Sequence, residues 1–113
     1  MASKKTTKIT KVVLAYIITK NKREAQSIGS VLLKKRLAGC INIIPSIESC
    51  YYWKNRIEKG HESILLVKSL QSKTQEIIKE VKRLHSYSVP CIMFVNISDI
   101  NVEYFKWLTD SMS

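Results

Sequence analysis

The residues Val12-Val13-Leu14-Ala15-Tyr16-Ile17-Ile18 form an uncharged run rich in β-branched side chains and apolar on both faces. Such a run reads as a strand, and a strand that is apolar on both faces belongs in the middle of a sheet. It is far too short to cross a bilayer, which takes ~20 residues as a helix. This one element therefore demands strand neighbours along both edges, and the rest of a 113-residue chain has to supply them. A chain of that length fits one domain and can bury roughly two thirds of its unfolded surface.

The remaining elements follow in order. The first strand runs from Ile9 to Thr19, after a polar, basic stretch at residues 1–8 that reads as disordered; residues 9–113 form the folded domain. Asn21 caps a helix from Lys22 to about Leu37, with Glu24 in its first turn and Lys34, Lys35 and Arg36 in its last, both signs matching the helix dipole. Ala25, Ile28, Val31 and Leu32 form the inward stripe, and Gly39 ends the helix. A second strand starts near Cys40 and continues to Trp53 across Pro45, which marks a bulge or an edge because it cannot donate to a ladder. Lys54-Asn55 is a two-residue turn, and the return strand runs from Arg56 to Ser69 with an irregularity at Lys59-Gly60. Ser72 opens a second helix, with Gln75 completing a capping box and Ile77, Val81 and Leu84 facing inward. Past Pro90, Cys91 to Ile97 is the fourth strand, and Asn101 caps a final helix carrying Val102, Phe105 and Leu108. The order β-α-β-β-α-β plus a terminal helix, with right-handed crossovers, is that of an α+β ferredoxin-like sandwich. That fold hosts many functions, so function has to come from particular residues.

The middle hairpin is too long for its sheet. Its arms approach fourteen residues each, and they carry Tyr51, Tyr52 and Trp53. A projecting two-stranded ribbon is unstable alone, and exposed aromatic edges invite partners. Either the aromatic residues fold back over the chain's own helices, or the ribbon pairs with a second subunit. A contact of one chain's ribbon with the next chain's edge closes into a ring, for which a trimer suits so narrow a sheet.

Nineteen Lys and Arg against nine Asp and Glu leave a net charge of +10. Such a balance raises the alternative of a basic ferredoxin-like nucleic-acid-binding module. Yet the cations are spread along the chain, and no strand shows the basic and aromatic pattern that stacks bases. Lys20, Lys22 and Arg23, between the first strand and helix, raise a third reading, an acylphosphatase-like hydrolase, but no glycine there lets backbone wrap an anion. Cys40, Cys50 and Cys91 cannot all pair within one chain and show no zinc-finger spacing, so they read as reduced thiols of a cytoplasmic protein. The N-terminal stretch lacks a secretory pattern. His85 is the best single candidate for a metal ligand, with Cys40 or Cys91 as a soft second donor for copper, although a His ending a helix also serves as a plain polar cap. Glu62 and Lys68, six apart on one strand face, form either an exposed ion pair or a Lys reaching a bound anion with Glu62 orienting it.

Five stretches resemble the CutA family of divalent-cation tolerance proteins. They are Leu37-Ala38-Gly39-Cys40-Ile41-Asn42-Ile43, Ser49-Cys50-Tyr51-Tyr52-Trp53, Glu62 to Ser69, His85-Ser86-Tyr87-Ser88-Val89-Pro90, and Tyr104-Phe105-Lys106-Trp107-Leu108. They come in family order with family spacing between about residues 10 and 110. The resemblance implies a homotrimer joined through the long hairpin, with an interface at Ser49, Tyr51, Tyr52, Trp53 and Trp107. It implies a PII-like architecture with a ligand cleft between subunits, to which Glu62, Lys68 and Tyr87 would belong, and no catalytic reaction. It further implies an association with copper or another divalent ion, through His85, Cys40 and Cys91. Two departures weaken such a metal site: Ile17 stands near the place of a ligating Cys, and Leu84-His85 replaces a pair of His.

Overall fold

The computed structural model describes residues 11–113; the basic lead-in at 1–8, and the start of the first strand at 9 and 10, lie outside the described residues. β1 (Val12–Thr19), β2 (Cys40–Trp53), β3 (Arg56–Leu70) and β4 (Ile92–Asn96) form one antiparallel sheet in the order β2-β3-β1-β4. The doubly apolar run is thus central, as its composition requires. Helices α1 (Lys22–Lys34) and α2 (Thr74–Leu84) cover one sheet face, and α3 (Val102–Met112) follows β4. This is the α+β sandwich that the element order implies.

The core lies between that face and the two helices. Ala15, Ile17, Leu65 and Val67 from the sheet meet Ala25, Ile28 and Leu32 of α1 and Ile77 and Val81 of α2. Fully burying a Leu or Ile contributes roughly 1.5–3 kcal/mol, so these few side chains carry much of the stability of a small domain. A second cluster, Val12, Leu108 and Met112, seats α3 at one end of the opposite face, where Leu70 and Phe105 pack against it.

Three local details differ from the sequence reading. Helix α1 stops at Lys34, because Arg36 takes the left-handed conformation (φ 59°) and the Arg36 and Leu37 N–H groups bond back to Leu33 and Leu32. That is a helix-ending arrangement usually given to glycine. Gly39 has no positive φ; it is small because a Cβ there would collide with Leu108 Cδ1. The Ser72–Gln75 capping box is not formed, since a 3₁₀ turn (Gln71–Lys73) runs straight into α2 and no side chain caps its start. Lys59-Gly60 is regular strand, paired with Cys50 and Ser49.

Other signals are realised as read. Asn21 Oδ1 accepts from the Glu24 N–H at 2.8 Å and caps α1. Lys54 and Asn55 both have positive φ (51° and 65°), which matches the two-residue turn and the right-handed twist of its strands. Pro45 lies both on an edge strand and at a bulge: Pro45 and Ser46 together oppose Ser63, whose hydroxyl donates to the Pro45 carbonyl at 2.7 Å. The hairpin projects far enough to make the molecule 54 × 27 × 22 Å.

Candidate functional site

Residues paired across strands share a face, which fixes the composition of the sheet face away from α1 and α2. It carries Leu14, Tyr16 and Ile18 of β1, Glu62, Ile64, Leu66 and Lys68 of β3, and Ile44 of β2. Met93 and Val95 extend it on β4, where both remain more than half exposed. Beyond the bulge the same face continues along the hairpin as Ile47, Ser49, Tyr51 and Trp53. Among the described residues, α3 covers only one end of this apolar surface. The hairpin aromatic residues do not fold back over the helices: Tyr52 is 77% exposed and Trp53 51%.

At the end away from α3, the surface deepens into a cleft of about 720 Å³. Its floor is Tyr16 and Ile18, and its hairpin wall is Ser49, Cys50, Tyr51 and Trp53. Glu62 lines it from β3, and the opposite wall is the segment between α2 and β4, contributing Tyr87, Ser88, Val89 and Cys91. The Tyr87 hydroxyl donates to Glu62 Oε2 at 2.6 Å, which ties that segment to the sheet. Burial first, then the hydrogen bond and charge of Glu62, push the Tyr87 phenol well above the ordinary tyrosine range, so it stays a donor. Burial and the Glu62 charge push the Cys91 thiol up as well.

The wall segment is held from behind by the start of α1. Glu24, with a side chain only 9% exposed, accepts from the Lys20 N–H at 2.9 Å and the Ser86 N–H at 2.8 Å. The His85 side chain is fully buried beside it. Its Nε2 lies 2.7 Å from the Ile18 carbonyl, which can only accept, and its Nδ1 accepts from the Tyr87 N–H at 3.0 Å. Both ring nitrogens are therefore occupied in the neutral tautomer with the proton on Nε2.

The expected site residues separate accordingly. Glu62 and Tyr87, both expected in the ligand cleft, meet directly, whereas Lys68, expected there with them, does not join them. Lys68 shares the face of Glu62 but lies about 20 Å along β3 at ~3.3 Å per residue, where its ammonium sits 5.2 Å from the centroid of the Tyr104 ring. Cys91 follows the wall segment, opposite Ile18, whereas Cys40 pairs with Lys68 at the other end of the sheet. The trio His85, Cys40 and Cys91 is thus not assembled within one chain. Among the described residues no three His, Cys, Asp or Glu side chains group as a metal site. Ser49, Tyr51 and Trp53 line the cleft, Tyr52 points from the other face of the hairpin, and Trp107 stacks on Tyr104 (centroids 5.3 Å apart) while remaining half exposed. No described helix is long and apolar enough to cross a membrane.

Comparison with known proteins agrees with this geometry. The family model described as "CutA1 divalent ion tolerance protein" matches residues 13–111. The "Divalent-cation tolerance protein CutA" of Archaeoglobus fulgidus is 37% identical over 86% of this chain and 94% of its own length. "Protein CutA 1, chloroplastic" of rice is 30% identical over 88% of this chain, which spans only 56% of that longer protein. Among solved structures, the "Periplasmic divalent cation tolerance protein CutA" of A. fulgidus superposes with a TM-score of 0.88 at 34% identity, covering 90% of this chain and 99% of that one. The nucleic-acid alternative finds no support in these relatives.

Proposed function

This chain belongs to the CutA1 divalent ion tolerance family, and from that premise we propose that it acts as a homotrimeric, non-catalytic protein of the divalent-ion response. Its ligand is met in the cleft of Glu62 and Tyr87, where two subunits join. The observation that carries this reading is the uncovered apolar face, continuous from Met93 and Val95 to Tyr51 and Trp53. A surface of this kind is costly in water and marks an interaction site. A hairpin laid on the face of the next copy covers both surfaces and closes a ring. Trp53 supports the magnitude: half of a side chain that buries up to ~250 Å², at ~25 cal/mol per Å², contributes about 3 kcal/mol per contact.

A resident copper ion fits the chain less well than a small ligand does. His85 has both nitrogens engaged, the Cys91 thiol is held protonated, and Cys40 is remote from both. The three free thiols accord with a reducing, cytoplasmic setting. Native mass spectrometry of the untagged protein, with and without Cu(II) and Zn(II), tests the reading. A trimer that remains metal-free at modest excess supports it. A folded single subunit at working concentration overturns the assembly, and a stoichiometric ion lost in His85→Ala overturns the ligand assignment.

A further inference from the structure

The excess of positive charge is spread along the sequence but gathered in the fold. Residues 20–36 and 73–83, which carry α1 and α2, hold ten Lys and Arg against three Glu. Residues 37–72 and 84–113 hold five against six. Of the three acids in the helical layer, Glu24 is turned inward onto the Lys20 and Ser86 N–H groups. Glu80 is bridged by Arg83 at 2.7 Å and by Lys35 at 3.1 Å, which pins the end of α1 beside α2. Glu76 is left as the one exposed carboxylate of the layer, among nine exposed Lys and Arg.

This layer covers the sheet face opposite to the one that the proposed ring closes over, so it points outward in the ring and in a single chain alike. It is two helices lying side by side, about 20 Å long at ~1.5 Å per residue and about 20 Å across. Neither segment contains an aromatic residue, and Leu33 is the one large apolar side chain exposed on them. A protein partner is held mainly by buried aromatic and apolar anchors, which this face lacks. Unpaired bases need rings to stack on, and groove reading needs a helix that stands clear of its neighbours. A flat cationic face without anchors fits a flat anionic one. The charged surface of a phospholipid bilayer attracts Lys and Arg without insertion or fixed geometry. Seven of the ten cations are Lys, point charges on flexible stems that follow mobile headgroups.

We propose that the α1–α2 layer docks this protein, reversibly and without insertion, on an anionic phospholipid surface. The sheet then stands between the lipid and the cleft of Glu62 and Tyr87.

The test is co-sedimentation of the full-length protein with vesicles of phosphatidylcholine, alone or with about 30% phosphatidylserine, at about 50 and 300 mM NaCl. The serine-containing vesicles should bind at least tenfold more tightly at the lower salt, and this preference should shrink several-fold at the higher. Lys79→Gln with Lys82→Gln, both on the exposed side of α2, should weaken binding about tenfold. Lys59→Gln with Lys106→Gln, the same charge removed from the hairpin and α3, should weaken it less than about threefold. Vesicles brominated in their acyl chains should leave the fluorescence of Trp53 and Trp107 unquenched, because both lie on the other side of the sheet. Equal binding to the two kinds of vesicle overturns the proposal. So does a loss in the first double variant no greater than in the second, or quenching of either tryptophan. Tighter binding of a random-sequence DNA duplex than of the anionic vesicles overturns it as well.

Discussion

Replacing Glu24 by Gln probes how the cleft wall is held. Glu24 takes two backbone N–H bonds with its two oxygens, from Lys20 and from Ser86, and its side chain is nearly buried. Gln keeps the size but has one oxygen, so its NH₂ end must face one of those N–H donors. One charge-assisted bond is lost outright and the other is weakened to a neutral one; at roughly 1.5–3 kcal/mol for a bond to a charged group, the expected cost is about 2–3 kcal/mol. For a domain near this size that lowers Tm by about 10 °C. The effect also has a pH signature. Burial alone would raise the Glu24 carboxyl, but the Lys20 and Ser86 bonds outweigh it and hold the group below its ordinary range. A depressed folded value means the stabilisation is complete above the unfolded value of about 4.3 and is lost as pH falls through the lower folded one. The gap between the native chain and Glu24→Gln should therefore be full at pH 7 and shrink below about pH 4. Thermal melts from pH 3 to 7, with hydrogen exchange at Ser86 and Tyr87, measure both effects. An unchanged Tm at pH 7, or a gap of the same size at pH 3, would refute the reasoning.

Two further perturbations test the frame around the cleft. Gly39→Ala drives a methyl group against Leu108 Cδ1 in the fully buried seat of α3, and should cost about 1–3 kcal/mol in chemical denaturation; pairing it with Leu108→Ala should give a loss smaller than the sum of the two single losses. Ser63→Ala removes the buried hydroxyl that donates to the Pro45 carbonyl and should cost about 1–2 kcal/mol, with faster exchange of the amides flanking Pro45 and Ser46 and little change at α1.

Much of the architecture is legible in the residues because hydrophobic pattern and turn chemistry act locally. The run from Val12 to Ile18 must be central, Lys54-Asn55 must turn, and the arms on either side are too long for the sheet they join. What was hidden depends on contacts distant in sequence. Arg36 rather than Gly39 ends α1, and Gly39 is small for the sake of Leu108, some seventy positions later. The spacing of Glu62 and Lys68 places them on one face, but a strand separates such a pair by about 20 Å, so the real partner of Glu62 is Tyr87. His85 carries a ligand's chemistry in sequence, while its burial beside Glu24 and Ile18 spends both nitrogens on holding the wall. An imidazole has the same donor inventory in either role; only its neighbours decide between them.

The parity of β2 shows how one local irregularity decides what the cleft contains. Side chains alternate along a strand, so Cys40, Asn42 and Ile44 share a face, and a regular continuation would bring Glu48, Cys50 and Tyr52 to that same side. The bulge at Pro45 and Ser46 sets two residues against Ser63 and reverses the alternation, so that Ile47 faces Glu62 and Tyr51 faces Glu58. Every odd-numbered residue beyond it, Trp53 included, is thereby delivered to the cleft and to the uncovered face. Pro45 removes a ladder donor where the pairing is interrupted anyway, and the Ser63 hydroxyl satisfies its carbonyl. The aromatic wall near Glu62 is thus a consequence of one extra residue in an edge strand. Loss of that residue would turn Glu48, Cys50 and Tyr52 to this side in place of Ile47, Ser49, Tyr51 and Trp53, adding a carboxylate and leaving one ring where there are two.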